Sequence, residues 1–278
     1  FMTGFLNIYK PSGKSSAAVV GRVKWLLRTP CGHMGTLDPL AEGVLPVGVG
    51  NATRLFDHFL SKKKRYTARF RFGATTDTLD AEGEVTAGGR IPSAEEVAGA
   101  LPAFLGEIEQ IPPRYSAVSV GGRRGYELAR KGVEFEIAPK RVVIDEFRLA
   151  EQTAPDEYEF TIVCGGGTYV RALVRDLAAA LGTQGYMTYL RRDASGVFTA
   201  ETAVPLEALT PENVRGYLIP TETVLPFPVL DCADERIFHG VTVPVAAEDG
   251  VYKLYRGGEF YGLARAEGGF ARAEKKLC

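Results

Sequence analysis

Apolar residues recur along this chain at two spacings, and each spacing predicts a kind of element. Between residues 65 and 72 they alternate. Tyr66, Ala68, Phe70 and Phe72 fall on one side and Arg65, Thr67, Arg69 and Arg71 on the other, which predicts a half-buried strand. Residues 5–9 (FLNIY) give a short strand that stops at Lys10-Pro11, and strand-like segments return at 141–149 and 157–164. Helical spacing appears in three places. Val19, Val20, Val23, Leu26 and Leu27 share one face of a helix running to about Arg28, with Ser15 or Ser16 at its start. Ser93 and Glu96 form a capping box ahead of Val97, Leu101, Phe104 and Leu105. After Gly165-Gly166-Gly167, Thr168 is placed to cap a helix carrying Val170, Leu173, Val174, Leu177 and Leu181, which Gly182 closes.

The connecting segments complete the outline. TDTLDAEG (76–83) reads as a turn, and IPP at 111–113 breaks the chain. Residues 114–132, with Gly121-Gly122, Arg123-Arg124 and a short Tyr126–Lys131 helix, suggest a mobile basic excursion. Prolines at 205, 211, 220, 226 and 228 loosen the chain, and strands at 251–256, 259–264 and 269–273 then make a small β-rich terminal module. No internal repeat is visible. Strands and helices mix without strict βαβ alternation, so the fold class is α+β.

The chain has 278 residues, 45% of them apolar, enough for one large or two ordinary domains with a real core. No run approaches the ~18 consecutive apolar residues of a membrane span, and no charged-then-apolar leader begins the chain. Phe1 ahead of Met2 reads as a foreign remnant. Cys31, Cys164, Cys232 and Cys278 are scattered without paired metal spacing, which suggests free thiols in a reducing, cytoplasmic setting. A net charge of −1 argues mildly against wholesale nucleic-acid binding, but distribution matters more than the sum. Basic residues cluster in Lys62–Arg65 with Arg69 and Arg71, then in Arg123-Arg124, Arg130-Lys131, Lys140-Arg141 and Arg191-Arg192. Acidic residues concentrate in 77–84, 95–109 and 145–159.

The chemistry centres on GHMGTLDPLAEGVLPVGVG (32–50). Asp38 lies in a tight turn bounded by Gly and Pro, with His33 upstream and an apolar run downstream. Pro39 disfavours helical geometry at Asp38 and presents the carboxylate at the exit of an extended segment. The same dipeptide could instead start a helix, with Asp38 as its N-cap. Arg171 falls in the first turn of its helix, where the macrodipole disfavours a cation, so either an anionic partner or solvent must offset it. Were Asp38 that partner, the guanidinium would hold the carboxylate charged and fix its direction. Gly165–Thr168 superficially resembles a phosphate cradle. It lacks the lysine and spacing of a P-loop and the dinucleotide fingerprint, and a tight strand-to-helix turn accounts for it. By residue type, Tyr66 and Tyr169 are core aromatics or flat surfaces for an extruded base, Leu190 is an ordinary apolar residue, and His33 is a loop histidine.

Taken together, the 32–50 segment, KKKRYTARFRFGATTDTLDAEG (62–83), CGGGTYVRALVRDLAAALG (164–182) and LRRDASGVF (190–198) resemble the TruB family of pseudouridine synthases. IPPRYSAVSVGGRRGYELARKG (111–132) is similar to the segment found in the family's bacterial, stand-alone branch. The likeness runs from about residue 4 to 200 and returns weakly at the C-terminus. It departs at Gly165, where serine is commoner, and at Ala17-Ala18.

The resemblance implies a pseudouridine synthase fold, with a mixed, largely antiparallel central sheet flanked by helices in residues 1–220. It further implies an RNA-binding insertion at about 85–135 and a PUA-like RNA-binding module at 228–278. It makes Asp38 the essential carboxylate and Arg171 its partner, sets Tyr66 against the base, and lines the pocket with Tyr169 and Leu190. His33 would fill the space left when the target nucleotide is extruded. The implied substrate is the T stem-loop of tRNA, bound by a monomer; the isomerisation is redox-neutral and requires no hydride or electron carrier, and neither a nucleotide cofactor nor a metal is expected. Two other readings are a guide-RNA-dependent relative, against which the 111–132 segment argues, and a non-catalytic tRNA-binding or tRNA-folding protein.

Overall fold

A computed structural model describes residues 2–116 and 118–278, with Val120 and Arg124 described by backbone alone. Phe1, and with it the expected remnant, lies outside the described residues. The alternating 65–72 segment becomes the strand Lys64–Phe72, and its odd and even positions separate as expected: Tyr66, Ala68, Phe70 and Phe72 are buried, while Arg65, Thr67, Arg69 and Arg71 are exposed or half-buried. This strand lies near the middle of a ten-stranded sheet. Across the sheet the order is Val204–Pro205, Gly4–Lys10, Glu42–Val49, Gly185–Ser195, Lys64–Phe72, Glu157–Cys164, Lys140–Ala154 and Gly106–Gln110. Cys31–His33 and Phe198–Thr199 pair beside Glu42–Val49 and Gly185–Ser195. Two of the pairings are parallel, Gly4–Lys10 with Val204–Pro205 and Gly185–Ser195 with Glu42–Val49, and the rest are antiparallel. The α+β, mixed and largely antiparallel architecture holds.

Five α-helices accompany the sheet among the described residues: α1 (Ser16–Leu27), α2 (Phe56–Leu60), α3 (Ala94–Ala100), α4 (Gly125–Arg130) and α5 (Val170–Ala180). Ser15, not Ser16, caps α1, accepting from the Ala18 N–H. The Ser93–Glu96 capping box opens α3 with both of its bonds made. Val19 and Val23 of α1, Leu173, Val174 and Leu177 of α5, and Phe70 and Phe160 of the sheet share one apolar core. Burying each such side chain contributes about 1.5–3 kcal/mol.

Part of the 85–135 segment, expected as an RNA-binding insertion, packs into the main body. Val97 and Leu101 belong to the core, and Gly106–Gln110 is the edge strand of the central sheet, pairing with Lys140–Ile144. Before that strand the chain makes a separate two-stranded pairing (Ala74–Thr76 with Val85–Ala87) and α3, and after Gln110 it leaves the sheet again, in a two-stranded hairpin (Ser119–Val120 with Arg123–Arg124) followed by α4.

The terminal module forms a second sheet, ordered Val229–Asp231, Gly250–Arg256, Glu259–Glu267, Phe270–Lys276 and Val243–Pro244. It has a core of its own around Ile237, Val243, Leu254 and Ala264. It is also joined to the main body: Leu263 and Leu277 pack with Phe5, Phe59 and Phe198. Arg54 donates to the Lys276 carbonyl, and Lys275 donates to that of Arg54. No helix is long and apolar enough to cross a membrane among the described residues.

Candidate active site

The six residues singled out from the sequence, His33, Asp38, Tyr66, Tyr169, Arg171 and Leu190, line one cavity of about 600 Å³. The sheet register explains part of this meeting. Tyr66 stands opposite Arg192 on the neighbouring strand, and Leu190 stands opposite Ala68.

Asp38 lies in the loop between Cys31–His33 and Glu42–Val49, and no helix follows it, so the N-cap alternative does not hold. The loop is clamped from two sides. Ser16 Oγ donates to the Leu37 carbonyl (2.7 Å) and accepts from its N–H (2.9 Å), while Ser12 Oγ and the Gly13 N–H bind the Leu40 and Pro39 carbonyls. Lys10, fully buried, gives its ammonium to the carbonyls of Pro11, Lys14 and Pro39, and burial brings its pKa down to about 8. On the other side Arg192, 1% exposed, donates to the Gly35, Thr36 and Val44 carbonyls. A side chain at Gly43 would collide with the Arg192 carbonyl, and the φ of 106° there also favours glycine. With its backbone anchored this way, the loop presents the carboxylate in a fixed direction.

Arg171 meets that carboxylate from the start of α5. Its Nε donates to Asp38 Oδ2 at 2.8 Å and its Nη2 to Oδ1 at 3.2 Å, the bidentate geometry that pairs guanidinium with carboxylate most strongly. Nη1 donates to the Thr78 carbonyl at 3.0 Å. Asp80 stands behind, its Oδ2 3.7 Å from Arg171 Nε and its side chain 3% exposed. The cation at the positive end of a helix is thus offset by two carboxylates and not by solvent, the two alternatives its position left open. Asp80 also organises its own turn, accepting from Thr78 Oγ1 (2.7 Å) and from the Glu82 N–H (3.1 Å). Leu79 between them takes a left-handed φ of 64°, a strained position for leucine.

Thr168 does not cap α5. Its hydroxyl donates back to the Gly165 carbonyl and closes the glycine turn, leaving Tyr169 in the N-cap position. Gln110 of the edge strand holds Tyr169, accepting from its N–H at 2.8 Å and donating to its carbonyl at 3.1 Å. A side chain at Gly166 would collide with the Leu60 carbonyl, so the glycine turn can press against the end of α2. Lys64 ties down that same end, giving its ammonium to the carbonyls of Phe59, Leu60 and Lys62. Burial, then the charge of Arg192, lowers the Lys64 pKa to about 8.

The remaining groups are tuned mainly by burial. Burial, and secondarily the Arg192 charge, lowers the pKa of His33, which favours the neutral ring, and its Nδ1 is buried without a hydrogen-bond partner among the described residues. Burial raises the pKa of Tyr66 and keeps it a phenol. Among the described residues no group of His, Cys, Asp and Glu is placed to hold a metal ion. Asp80, Arg192, Lys64 and Gln110 were not assigned to the site from the sequence: Asp80 is one of three acidic residues in the 76–83 turn, Lys64 and Arg192 lie in basic clusters, and Gln110 carries no local signal.

Residues 24–170 match the family described as TruB family pseudouridylate synthase (N terminal domain), and residues 171–226 match the tRNA pseudouridylate synthase B C-terminal domain. A Caulobacter vibrioides protein named tRNA pseudouridine synthase B is 43% identical over 246 residues, covering 85% of this chain and 79% of its own length. A Clostridium kluyveri protein of the same name is 38% identical over 275 residues, covering 94% and 95%. Among solved structures, a chain from the crystal structure of a Cbf5-Nop10-Gar1 complex superposes with a TM-score of 0.73 at 25% identity, covering 99% of this chain and 85% of that one.

Proposed function

The chain belongs to the TruB family of pseudouridylate synthases, and from that premise we propose that it isomerises a uridine in the T loop of tRNA, acting without a guide RNA on a flipped-out nucleotide. The observation that carries this reading is the Asp38–Arg171 pair, set in the wall of a cavity that also holds Tyr66, Tyr169 and Leu190.

The reaction breaks the bond between C1′ and N1, turns the base, and forms a bond between C1′ and C5. N1 gains a proton and C5 loses one, so no electrons leave or enter. Asp38 is the group that acts at the sugar, by attack on C1′ or by removal of the C2′ proton. Its carboxylate is half-buried, with 31% of the side chain exposed, while its partner Arg171 is 6% exposed. It is therefore open to a ligand while its charge is countered from behind. Tyr66 packs against the base and relays the C5 proton, and Tyr169 and Leu190 hold the base from its other sides. His33, favoured as the neutral ring, fills the space the extruded nucleotide leaves. Extrusion costs a few kcal/mol, least for a poorly stacked loop nucleotide.

The 228–278 sheet is, on this reading, a PUA-like RNA-binding module. The name shared by relatives at 38–43% identity favours the guide-independent activity. The test is to incubate the purified chain with an unmodified T-arm stem-loop alone and map pseudouridine by carbodiimide adducts. Modification confined to a T-loop uridine is expected. No modification, or modification only when a guide RNA is added, overturns the proposal.

A further inference from the structure

The first acidic residue of the chain is Asp38, and before it stand Lys10, Lys14, Arg22, Lys24 and Arg28. Lys10 is buried, but the other four are exposed, and none of them has a carboxylate partner among the described residues. Three of the four lie on α1 or its C-cap. In their midst Trp25 is 62% exposed, more than any other large apolar side chain described, with the Arg22 guanidinium 4.7 Å from its ring centroid. Ala18, Gly21, Arg22, Trp25 and Arg28 follow the helical repeat along one exposed stripe, and a side chain at Gly21 would meet nothing within 4 Å. The opposite face of α1, with Val19, Val23, Leu26 and Leu27, is fully used by the core.

We propose that this outer face of α1 is a second binding surface for the RNA substrate. Arg22, Lys24 and Arg28 bind backbone phosphates, and Trp25 packs on a base or ribose. The proposal rests on the reading of the chain as an RNA-modifying enzyme and adds a surface to it. Cations without carboxylate partners around an exposed aromatic ring are what a polyanion with flat bases requires. A second copy of the chain fits poorly, because a symmetric interface would bring like charges together. Position argues the same way. The segment leading into α1 grips the Asp38 loop through Ser12, Gly13 and Ser16. The helix then continues for 12 residues, about 18 Å, so an RNA held at Asp38 is within a few nucleotides of it.

Trp25 is the only tryptophan, so its fluorescence reports on this face alone. The decisive experiment measures acrylamide quenching of Trp25 in the full chain, free and saturated with an unmodified tRNA transcript, with retention on filters measured in parallel. Severalfold protection of Trp25 is expected. Retention of RNA with Trp25 as open to acrylamide as before overturns this inference and leaves the catalytic reading intact. No retention at all removes the RNA reading, and the inference falls with it. The triple variant Arg22→Ala, Lys24→Ala, Arg28→Ala should lower the slope of log affinity against log salt by about three, one for each phosphate no longer neutralised. Its kcat at saturating RNA should match wild type. Trp25→Ala should bind about tenfold more weakly and Trp25→Phe almost normally. An unchanged salt slope in the triple variant contradicts the proposal.

Discussion

Arg171 holds Asp38 by two parallel hydrogen bonds, 2.8 Å from Nε and 3.2 Å from Nη2, across 133 positions of sequence. Lysine keeps the charge but cannot make that fork, nor reach the Thr78 carbonyl at the same time. Arg171→Lys should therefore fold normally while losing about 100-fold in kcat, equivalent to about 2.7 kcal/mol of transition-state stabilisation. Steady-state tritium release from labelled RNA checks this, and a loss under about threefold would show that charge alone suffices.

Asp80 serves both the turn it organises and the guanidinium behind Asp38. Asp80→Asn keeps the shape and removes the charge. The expected effect is about a 10- to 100-fold loss of kcat with little change in KM, from the usual 1.5–3 kcal/mol of a charge-assisted interaction. A rise in KM at constant kcat would assign Asp80 to RNA binding instead.

Arg192 binds three carbonyls of the buried frame around the Asp38 loop. Arg192→Met leaves them without donors, and stability should fall by about 3 kcal/mol. Urea unfolding measures it, and a loss under about 1 kcal/mol would mean that the loop is held without this side chain.

Lys10 gives a pH signature. Its pKa is about 8 in the folded chain, against 10.5 as the ordinary value. Between those limits the unfolded chain binds more protons, so raising the pH favours the folded state, and the gain is complete only above the unfolded value. Stability of wild type relative to Lys10→Met should therefore rise from about pH 8 to pH 10. A flat or falling difference, measured by urea unfolding across that range, contradicts the assigned burial of the charge.

What the sequence disclosed and what it hid have physical reasons. The Lys64–Phe72 strand was legible because one face is buried and the other is not, so its alternation is complete. Arg171 was legible as a cation at the wrong end of a helix, an anomaly that an anionic partner or solvent had to offset. The strand Glu42–Val49 was not assigned, because seven of its eight residues are buried, and a continuous apolar run has no period to read. Gly106–Gln110 escaped as a strand because it is a short, mostly polar edge. Thr168 looked like a helix cap because its type and position fit one, yet its hydroxyl closes the turn before it. Arg192 and Gln110 act on backbone atoms distant in sequence, and no local pattern marks such a role.

Asp38 is proposed to perform the chemistry while the rest of the site binds and orients. The direct measurement is single-turnover tritium release from a T-arm stem-loop labelled at uridine C5, comparing wild type with Asp38→Asn at enzyme concentrations that saturate the RNA. Release by wild type, with none above background from Asp38→Asn despite equal RNA retention, is the predicted result. Comparable release from Asp38→Asn would contradict the account, because the cavity would then isomerise uridine without its carboxylate.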